Sequence, residues 1–256
     1  MKMVRLLVLV MVLCLSNVSN ATLQVYYTFD DASGLVISDG GAYGTHDGTA
    51  SASSLTFEAG KYGNAAKFSG QYIAMDIADA ATLPGDVEGS DDADFTVSFW
   101  MNTASTTQMA VFAYAVNGVK LVINTDPTLG IFAGATDFGS TANNAQYHSY
   151  TTNEWHHIAV TVADGLVTLY YDGSNDGVGS TTGILSHNTG AAWLGARNLS
   201  TKKYYNGMLD DFAIFDEALT ESQIAAIYSS TMAIPEPATI AMLVMGCCIS
   251  FFGKKK

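Results

Sequence analysis

The side chains of this chain that could do chemistry are mainly carboxylates, and their spacing does not favour catalysis. Retaining cleavage of a glycosidic bond needs two carboxyl groups about 5 to 5.5 Å apart. Between residues 22 and 234 the glutamates are scattered singly, at Glu58, Glu88, Glu154, Glu217 and Glu221. No Gly-x-Ser-x-Gly motif and no cysteine in this region offers a nucleophile. The sequence therefore predicts a protein that is not an enzyme.

Two adjacent histidines, His156 and His157, could suggest a metal site. They fall within a predicted strand, where neighbouring side chains point to opposite faces of the sheet. One ion could not be held by both, so we predict that they pack and hydrogen-bond within the sheet. The remaining histidines, at positions 46, 148 and 187, form no spaced cluster.

The charge of residues 22–234 limits the partners of the chain. Six basic residues stand against 23 acidic ones in this region, which gives a net charge of −17 with neutral histidines. Such a surface repels nucleic acids and anionic lipids. All three cysteines, Cys14, Cys247 and Cys248, lie outside the region, so no disulfide can stabilise it. We expect neutral or cationic partners and no nucleic acid.

The C-terminal 22 residues combine a rigid tripeptide with an apolar run. Pro235, Glu236 and Pro237 precede 16 uncharged residues, 238–253, and three lysines end the chain. Sixteen helical residues cover about 24 Å, slightly less than a bilayer core of roughly 30 Å. This order resembles the PEP-CTERM sorting signal of Gram-negative bacteria, which implies processing by an exosortase-type enzyme near residues 235–237. The alternative is an ordinary C-terminal membrane anchor.

The N-terminal residues indicate export. Lys2 and Arg5 precede an apolar run from Leu6 to Leu15, and Ser19-Asn20-Ala21 follows as a small-x-small cleavage site. A charged start, an apolar run of about ten residues and such a site are typical of a secretory signal peptide. We predict that residues 1–21 are this peptide and that cleavage follows Ala21.

Between the two signals the apolar pattern has a period of two, which indicates β-strands. Alternation is clear in residues 23–29, 95–100, 155–162 and 166–171, and Asp-Gly or Asn-Gly pairs mark turns between such segments. Thr220 and Gln223 form a capping box that opens one short helix. The pattern predicts an all-β domain over residues 22–228, a two-sheet antiparallel sandwich with a C-terminal helix, and a tether over 229–234.

Several segments in order resemble the laminin-G-like, concanavalin A-like jelly-roll domains. They are residues 60–70, 95–100, 154–160 with 169–173, and 207–215, after an opening Tyr-Thr-Phe-Asp-Asp at residues 27–31. The resemblance implies two sheets packed face to face, closed by pairing of the terminal strands. It also implies binding of glycans or proteins. The Glu-x-Asp-x-x-Glu arrangement of the family's glucanases is absent from this sequence.

The same resemblance implies one structural calcium ion between the terminal strands, with Asp30 and Asp210 as ligands. Calcium takes six to eight oxygen ligands, often carboxylates together with backbone carbonyls. Strict alternation places Asp210 on the face of Phe212 and Ile214, where a buried carboxylate would need a cation or several donors. The alternative is that Asp210 accepts hydrogen bonds from backbone amides and that Asp30 caps a turn.

Aromatic side chains could offer a platform for sugar rings. Trp100 and Trp155 fall in strand patterns and are expected in the core. Four tyrosines lie in or beside polar segments and are better candidates for exposure: Tyr147, Tyr150, Tyr204 and Tyr205. Nothing in the spacing selects a ligand-binding residue among them.

Together these features predict an exported protein of the bacterial envelope or extracellular matrix. Its laminin-G-like domain would bind a glycan or mediate adhesion through a surface protein, and its C-terminal segment would hold the precursor in the inner membrane. The alternatives are a passive matrix protein without a specific ligand and a polysaccharide-cleaving enzyme.

Overall fold

Two antiparallel β-sheets packed face to face make up this protein. The computed structural model describes residues 21–30, 35–42, 44, 46–52, 55–75, 94–107, 109–114, 119–123, 128–133, 144–164, 166–180, 192–197 and 203–230. Over these residues it contains sixteen strands and one helix. The predicted all-β sandwich with one short C-terminal helix is confirmed.

Among the described residues, the first sheet has eight strands. In spatial order they are β14 (Ser174–Ser180), β13 (Leu166–Tyr171), β12 (His156–Ala163), β7 (Phe95–Asn102), β16 (Asn206–Phe215), β5 (Asn64–Ser69) and β4 (Thr56–Ala59), and β1 (Leu23–Tyr27) also pairs with β16. The pairing of β1 with β16 joins the first strand of the domain to the last. The predicted closure by the terminal strands is therefore confirmed.

The second sheet also has eight strands among the described residues. In spatial order they are β11 (Asn144–Ser149), β10 (Thr128–Ala133), β9 (Val119–Ile123), β8 (Met109–Tyr114), β15 (Ala192–Leu194), β6 (Ile73–Met75), β3 (Gly48–Ala50) and β2 (Val36–Ile37).

The main core fills the space between the two sheets. Alternate side chains of β1, Val25 and Tyr27, face this core together with Phe29, as the period-two pattern predicts. Phe212 of β16 is at its centre, with ring centroids 6.2 Å from Phe99 and 5.5 Å from Phe112. Phe112 lies on the second sheet, so these rings join the two layers.

Tight turns follow the predicted Asp-Gly positions. Asp164 has φ 48° between β12 and β13, and Asp172 and Gly173 have φ 47° and 78° between β13 and β14. Two consecutive positive φ values are the geometry of a type I′ hairpin turn, which glycine adopts without steric cost.

One helix, α1 (Glu221–Ser229), packs on the outer face of the first sheet. The Thr220 side chain accepts a hydrogen bond from the Gln223 backbone amide, and the Thr220 backbone amide donates to Gln223 Oε1 at 2.9 Å. These two bonds confirm the predicted capping box. Ile224 and Ile227 are buried in a second apolar cluster with residues of β1 and β16.

The described residues include no helix long and apolar enough to cross a membrane. The predicted span over residues 238–253, the motif at 235–237 and residues 1–20 of the predicted signal peptide lie outside the described residues.

Candidate functional site

A β-bulge in β16 determines where the acidic residues of this strand point. Asp210 lies opposite Trp100 of β7, but Ala213 lies opposite Ser98, so one residue is inserted between them. Asp211 has φ 47° at this position. The extra residue breaks the alternation, which puts Asp210 on the outer face with Trp100. The prediction that Asp210 shares the face of Phe212 and Ile214 is therefore wrong.

The carboxylate of Asp210 is fully buried and bonded to the backbone. The Tyr62 amide donates to Oδ2 at 3.0 Å, and the Asp211 amide donates to Oδ1 at 2.9 Å. Burial raises the pKa of Asp210 to about 7, against the opposing effect of the amide hydrogen bonds. Gly60 makes this fit possible, since a Cβ there would lie 2.5 Å from Oδ2.

Asp211 is the second acidic group at the bulge. The Tyr26 hydroxyl donates to its Oδ1 at 2.7 Å. Burial raises the pKa of Asp211 to about 6, and the charge of Asp30 raises it further, whereas the Tyr26 hydrogen bond lowers it.

Asp210 and Asp30 both contact the loop of residues 60–64, Asp210 through the Tyr62 amide and Asp30 at the C-terminal end of the loop. Asp30 accepts a hydrogen bond from the Asn64 amide at 2.7 Å, and the backbone of Gly63 packs directly against its carboxylate. The two predicted calcium ligands, Asp30 and Asp210, thus contact the same loop. The described residues contain no group of three His, Cys, Asp or Glu side chains placed to hold a metal ion. The structure does not test the calcium ion itself, which stays a prediction.

An aromatic group covers the acidic pair on the outer face of the first sheet. Trp100 stacks on Tyr228 of α1 with centroids 5.6 Å apart and meets Tyr62 edge-on at 5.9 Å. The Lys61 ammonium lies 4.2 Å from the centre of a Trp100 ring. The Tyr62 hydroxyl donates to the Ser230 carbonyl at 2.6 Å, which fixes the end of α1 over this group. We call Trp100, Tyr62 and Tyr228 the covered triad because the indole of Trp100 is buried beneath the two tyrosines, of which Tyr62 is half-buried and Tyr228 is 38% exposed.

A buried serine–histidine contact lies beneath the covered triad. Ser98 Oγ is 2.9 Å from His157 Nε2, and both side chains are inaccessible to solvent. Burial lowers the pKa of His157 to about 4, so the ring is neutral at pH 7. Among the described residues, its Nδ1 has no hydrogen-bond partner. In a Ser-His-Asp triad a carboxylate bonds to this nitrogen, and no described carboxylate does so here.

His156 points to the other face of the strand, as predicted. Its Nδ1 lies 3.0 Å from Asp172 Oδ2 and 2.7 Å from the Tyr171 hydroxyl, and its Nε2 lies 2.7 Å from Thr151 Oγ1. The side chains of the two histidines belong to separate hydrogen-bonding groups, which confirms the predicted opposite orientation.

The outer face of the second sheet carries another aromatic group. The rings of Tyr72 and Tyr204 are parallel within 7°, with centroids 6.5 Å apart. Both pack against a cluster formed by Trp193, Ala113 and Ala196. Trp193 is buried, whereas the two tyrosines keep part of their surface exposed. We call Tyr72, Tyr204 and Trp193 the tyrosine patch.

Of the four tyrosines expected to be exposed, only Tyr204 belongs to this patch. Tyr150 and Tyr205 are buried, and their hydroxyls donate to the carbonyls of Ser105 and Met208, so that expectation is wrong for both. Tyr147 lies in β11.

Sequence reasoning missed Tyr72 and Trp193 as patch residues. Trp193 is on β15, which pairs with β6 just after Tyr72, and these strands are far apart along the chain. The aromatic residues themselves were visible in the sequence, but their proximity depends on this distant pairing.

Comparisons with known proteins point to one superfamily. A family model, Laminin_G_3, described as the concanavalin A-like lectin/glucanases superfamily, matches residues 75–225. Among curated proteins, Adhesion G-protein coupled receptor V1 of Danio rerio is 25% identical over 148 residues. The match covers 54% of this chain and only 2% of the length of that receptor.

Solved structures share the fold at low sequence identity. Domain 4 of AbnA, a GH43 extracellular arabinanase from Geobacillus stearothermophilus in complex with arabinotriose, has a TM-score of 0.60 and 20% identity, covering 81% of this chain and 98% of that one. The binding domain of botulinum neurotoxin serotype D has a TM-score of 0.60 and 16% identity, covering 82% and 52%. A Trypanosoma rangeli sialidase has a TM-score of 0.58 and 14% identity, covering 83% and 34%.

Proposed function

The chain belongs to the concanavalin A-like lectin/glucanases superfamily, and from this premise we propose that it is an exported, non-enzymatic glycan-binding protein. Its place of action is the cell surface or extracellular matrix of a Gram-negative bacterium. Its sandwich domain supplies the binding surface, and the two terminal segments supply export and sorting.

The observation that carries the proposal is the tyrosine patch. Two parallel, partly exposed rings lie over a buried tryptophan on a face that α1 does not cover. Aromatic rings present flat apolar surface at a small loss of conformational entropy, and the tyrosine hydroxyl adds a polar contact. The apolar faces of sugar rings fit such a surface, and sugar hydroxyls can bond at its edges.

The burial of Asp210 and Asp211 supports binding rather than cleavage. A hydrolase needs carboxyl groups that reach the substrate. Asp210 is buried and accepts hydrogen bonds from the backbone amides of Tyr62 and Asp211. Asp211 is buried and accepts a hydrogen bond from the Tyr26 hydroxyl. The arabinotriose complex of the similar AbnA domain is a property of that protein, and it supports a saccharide as the ligand class to test first.

The terminal segments support export and sorting. Residues 1–21 have the parts of a secretory signal peptide, and residues 235–256 resemble a PEP-CTERM signal. In this proposal an exosortase-type enzyme processes the precursor near residues 235–237 after the apolar run has stopped in the inner membrane. A structural calcium ion at Asp30 and Asp210 is part of the proposal, and a chelator tests it.

A glycan array probed with the exported, purified chain tests the function, with calcium and again with a chelator. The matched variants are Tyr72→Ala with Tyr204→Ala, and Tyr72→Phe with Tyr204→Phe. We expect saturable binding to one sugar class, retained by the phenylalanine pair and lost by the alanine pair.

Other outcomes identify the competing functions. A blank array from a folded protein would favour a passive matrix role or adhesion to a protein. Release of reducing sugar, abolished by one carboxylate substitution, would show an enzyme. Loss of binding in chelator would support the calcium ion.

A further inference from the structure

The start of β1 is held by one carboxylate. The Thr22 amide donates to Asp216 Oδ1 at 2.5 Å, and the Gln24 side-chain amide donates to Asp216 Oδ2 at 2.8 Å. The Asp216 amide in turn donates to the Thr22 carbonyl at 3.2 Å. Both oxygens of Asp216 are therefore directed at the first residues of the domain.

The nitrogen that Asp216 binds is the one that signal-peptide cleavage would change. Hydrolysis after Ala21 breaks the bond between the Ala21 carbonyl carbon and the Thr22 nitrogen. Water supplies the hydroxyl of the new Ala21 carboxyl group and one hydrogen of the new amine, which then takes up a proton to become an ammonium group. A neutral donor would thus become a cation at the same position.

We propose that Asp216 is the binding site for the mature N-terminus, and that cleavage between Ala21 and Thr22 completes it by forming a salt bridge from the Thr22 ammonium. The inference rests on the proposed export of the chain. It assigns Asp216 a role in maturation that is independent of glycan binding.

Burial of the cleavage site sets the order of events. Ala21 is 1% exposed and packs in the cluster that contains Leu23, Phe215 and Ile224. A peptidase needs an extended, accessible segment, so it could not reach this bond once β1 is paired with β16. Cleavage must come before the terminal strands close the fold. The new ammonium then strengthens a contact that the neutral amide already makes, because a hydrogen bond between charged groups is stronger than one to a neutral donor.

The charges around Thr22 favour the ammonium form. Besides Asp216, the ionisable groups on elements that pack against β1 include Asp39, which accepts a hydrogen bond from the Tyr26 amide, and Glu221 of α1, which lies near Tyr170. Tyr26 and Tyr170 belong to the apolar cluster that holds Ala21 and Leu23. The acidic members of this set carry the sign that stabilises a cation, and Asp216 makes the direct contact.

The test is the reactivity of the N-terminal amine in the exported full chain. Mass spectrometry first identifies the N-terminal residue. Reductive methylation from pH 6.5 to 10 then gives the pKa of the amine. An unperturbed α-amino group has a pKa of about 7.7 to 8.0. We expect the Thr22 amine to titrate about one unit higher, so that it is labelled roughly tenfold more slowly near pH 6.5, well below both pKa values.

Two variants serve as controls. Asp216→Asn removes the charge but keeps a hydrogen-bond acceptor. Insertion of one glycine between Ala21 and Thr22 keeps the cleavage residue but moves the ammonium away from Asp216. Both should return the amine to its ordinary pKa and labelling rate.

The outcomes separate this inference from the proposed function. Cleavage after Ala21 in all three proteins, with the same labelling profile in each, would overturn the inference alone. A purified chain that still carries residues 1–21 would overturn both the proposed export and the inference. A blank glycan array would leave the Asp216 site unaffected.

Discussion

The two outer faces of this sandwich are built from the same residue types and differ in what covers them. Each has a buried tryptophan with two tyrosines: Trp100 with Tyr62 and Tyr228 on the first sheet, and Trp193 with Tyr72 and Tyr204 on the second. On the first sheet, α1 lies over Trp100 and supplies Tyr228, whose own ring is 38% exposed. On the second sheet no described helix lies over the tyrosines. A Trp-Tyr-Tyr group therefore does not define a binding site by itself.

The polar surroundings of the two groups differ as well. Asp210, Asp211 and His157 lie beneath the covered triad. Burial raises the pKa values of the two aspartates and lowers that of His157, so the neutral form of each group is favoured. The tyrosine patch instead packs on alanines. Substitutions on the covered face should therefore change the stability of the domain and its dependence on pH. Substitutions on the open face should mainly change ligand binding.

Trp100→Ala should have the largest effect on stability. The indole contacts Tyr62, Tyr228, His157 and Lys61, and it is almost completely buried. Truncation of a buried tryptophan usually costs about 3–5 kcal/mol. Chemical denaturation should show a loss of this size, against a much smaller loss for Tyr204→Ala. Equal losses for the two variants would mean that the two faces are packed alike.

Asp211→Asn should reveal the pH response of the covered face. The pKa of Asp211 is about 6 in the folded chain, against an ordinary value of 3.8. The folded chain therefore binds a proton at Asp211 more tightly than the unfolded chain does. Its stabilising contribution is present below pH 3.8 and is lost as the pH rises through about 6. Relative to the variant, the wild type should gain roughly 2.5 kcal/mol between pH 8 and pH 4.

The comparison with the variant is necessary because His157 acts in the opposite direction. Its pKa of about 4 in the folded chain lies below the ordinary value of 6.5, so its contribution is lost as the pH falls from 6.5 toward 4. Subtracting the two denaturation profiles removes most of this effect. A constant difference between wild type and Asp211→Asn would show that Asp211 does not change its charge on folding in this range.

The sequence was sufficient for features that depend on neighbouring residues. Period-two alternation located β13 at Leu166–Tyr171, and the capping box located the start of α1 at Thr220. The opposite orientation of His156 and His157 also followed from strand geometry alone. In each case the cause is local, because it depends on backbone conformation within a few residues.

The features that sequence reasoning missed depend on distant pairing. A one-residue bulge in β16 puts Asp210 on the face opposite to the predicted one. The bulge lies where this strand pairs with β7 and contacts the loop of residues 60–64, which are distant in sequence. The burial of Tyr150 and Tyr205 likewise depends on backbone carbonyls supplied by other segments, such as that of Ser105. The tyrosine patch forms only when β15 is placed next to β6.

Gly173→Ala should show how firmly α1 is packed on the first sheet. Gly173 has φ 78°, and a Cβ there would lie 2.8 Å from Cβ of Tyr228. Gly70 is the matched control, since it has φ 97° and nothing within 4 Å of the added carbon. Both alanine variants carry the cost of a positive φ, but only Gly173→Ala must also displace α1. The excess loss in denaturation experiments should be about 1–3 kcal/mol, typical of overpacking. Equal losses would mean that α1 adjusts freely.

The smallest expected effect concerns the two tyrosines of the open face. Their rings are parallel and 6.5 Å apart, so a double-mutant cycle of Tyr72→Ala and Tyr204→Ala should give a coupling free energy of about 0.5–1.5 kcal/mol, as measured for aromatic pairs. The phenylalanine variants should keep this coupling, because the rings rather than the hydroxyls make the contact. If saturating glycan bridges both rings, the coupling should increase in its presence, whereas a ligand that binds elsewhere would leave the cycle unchanged. The same four proteins therefore test whether the patch is a recognition surface or only part of the packing of the second sheet.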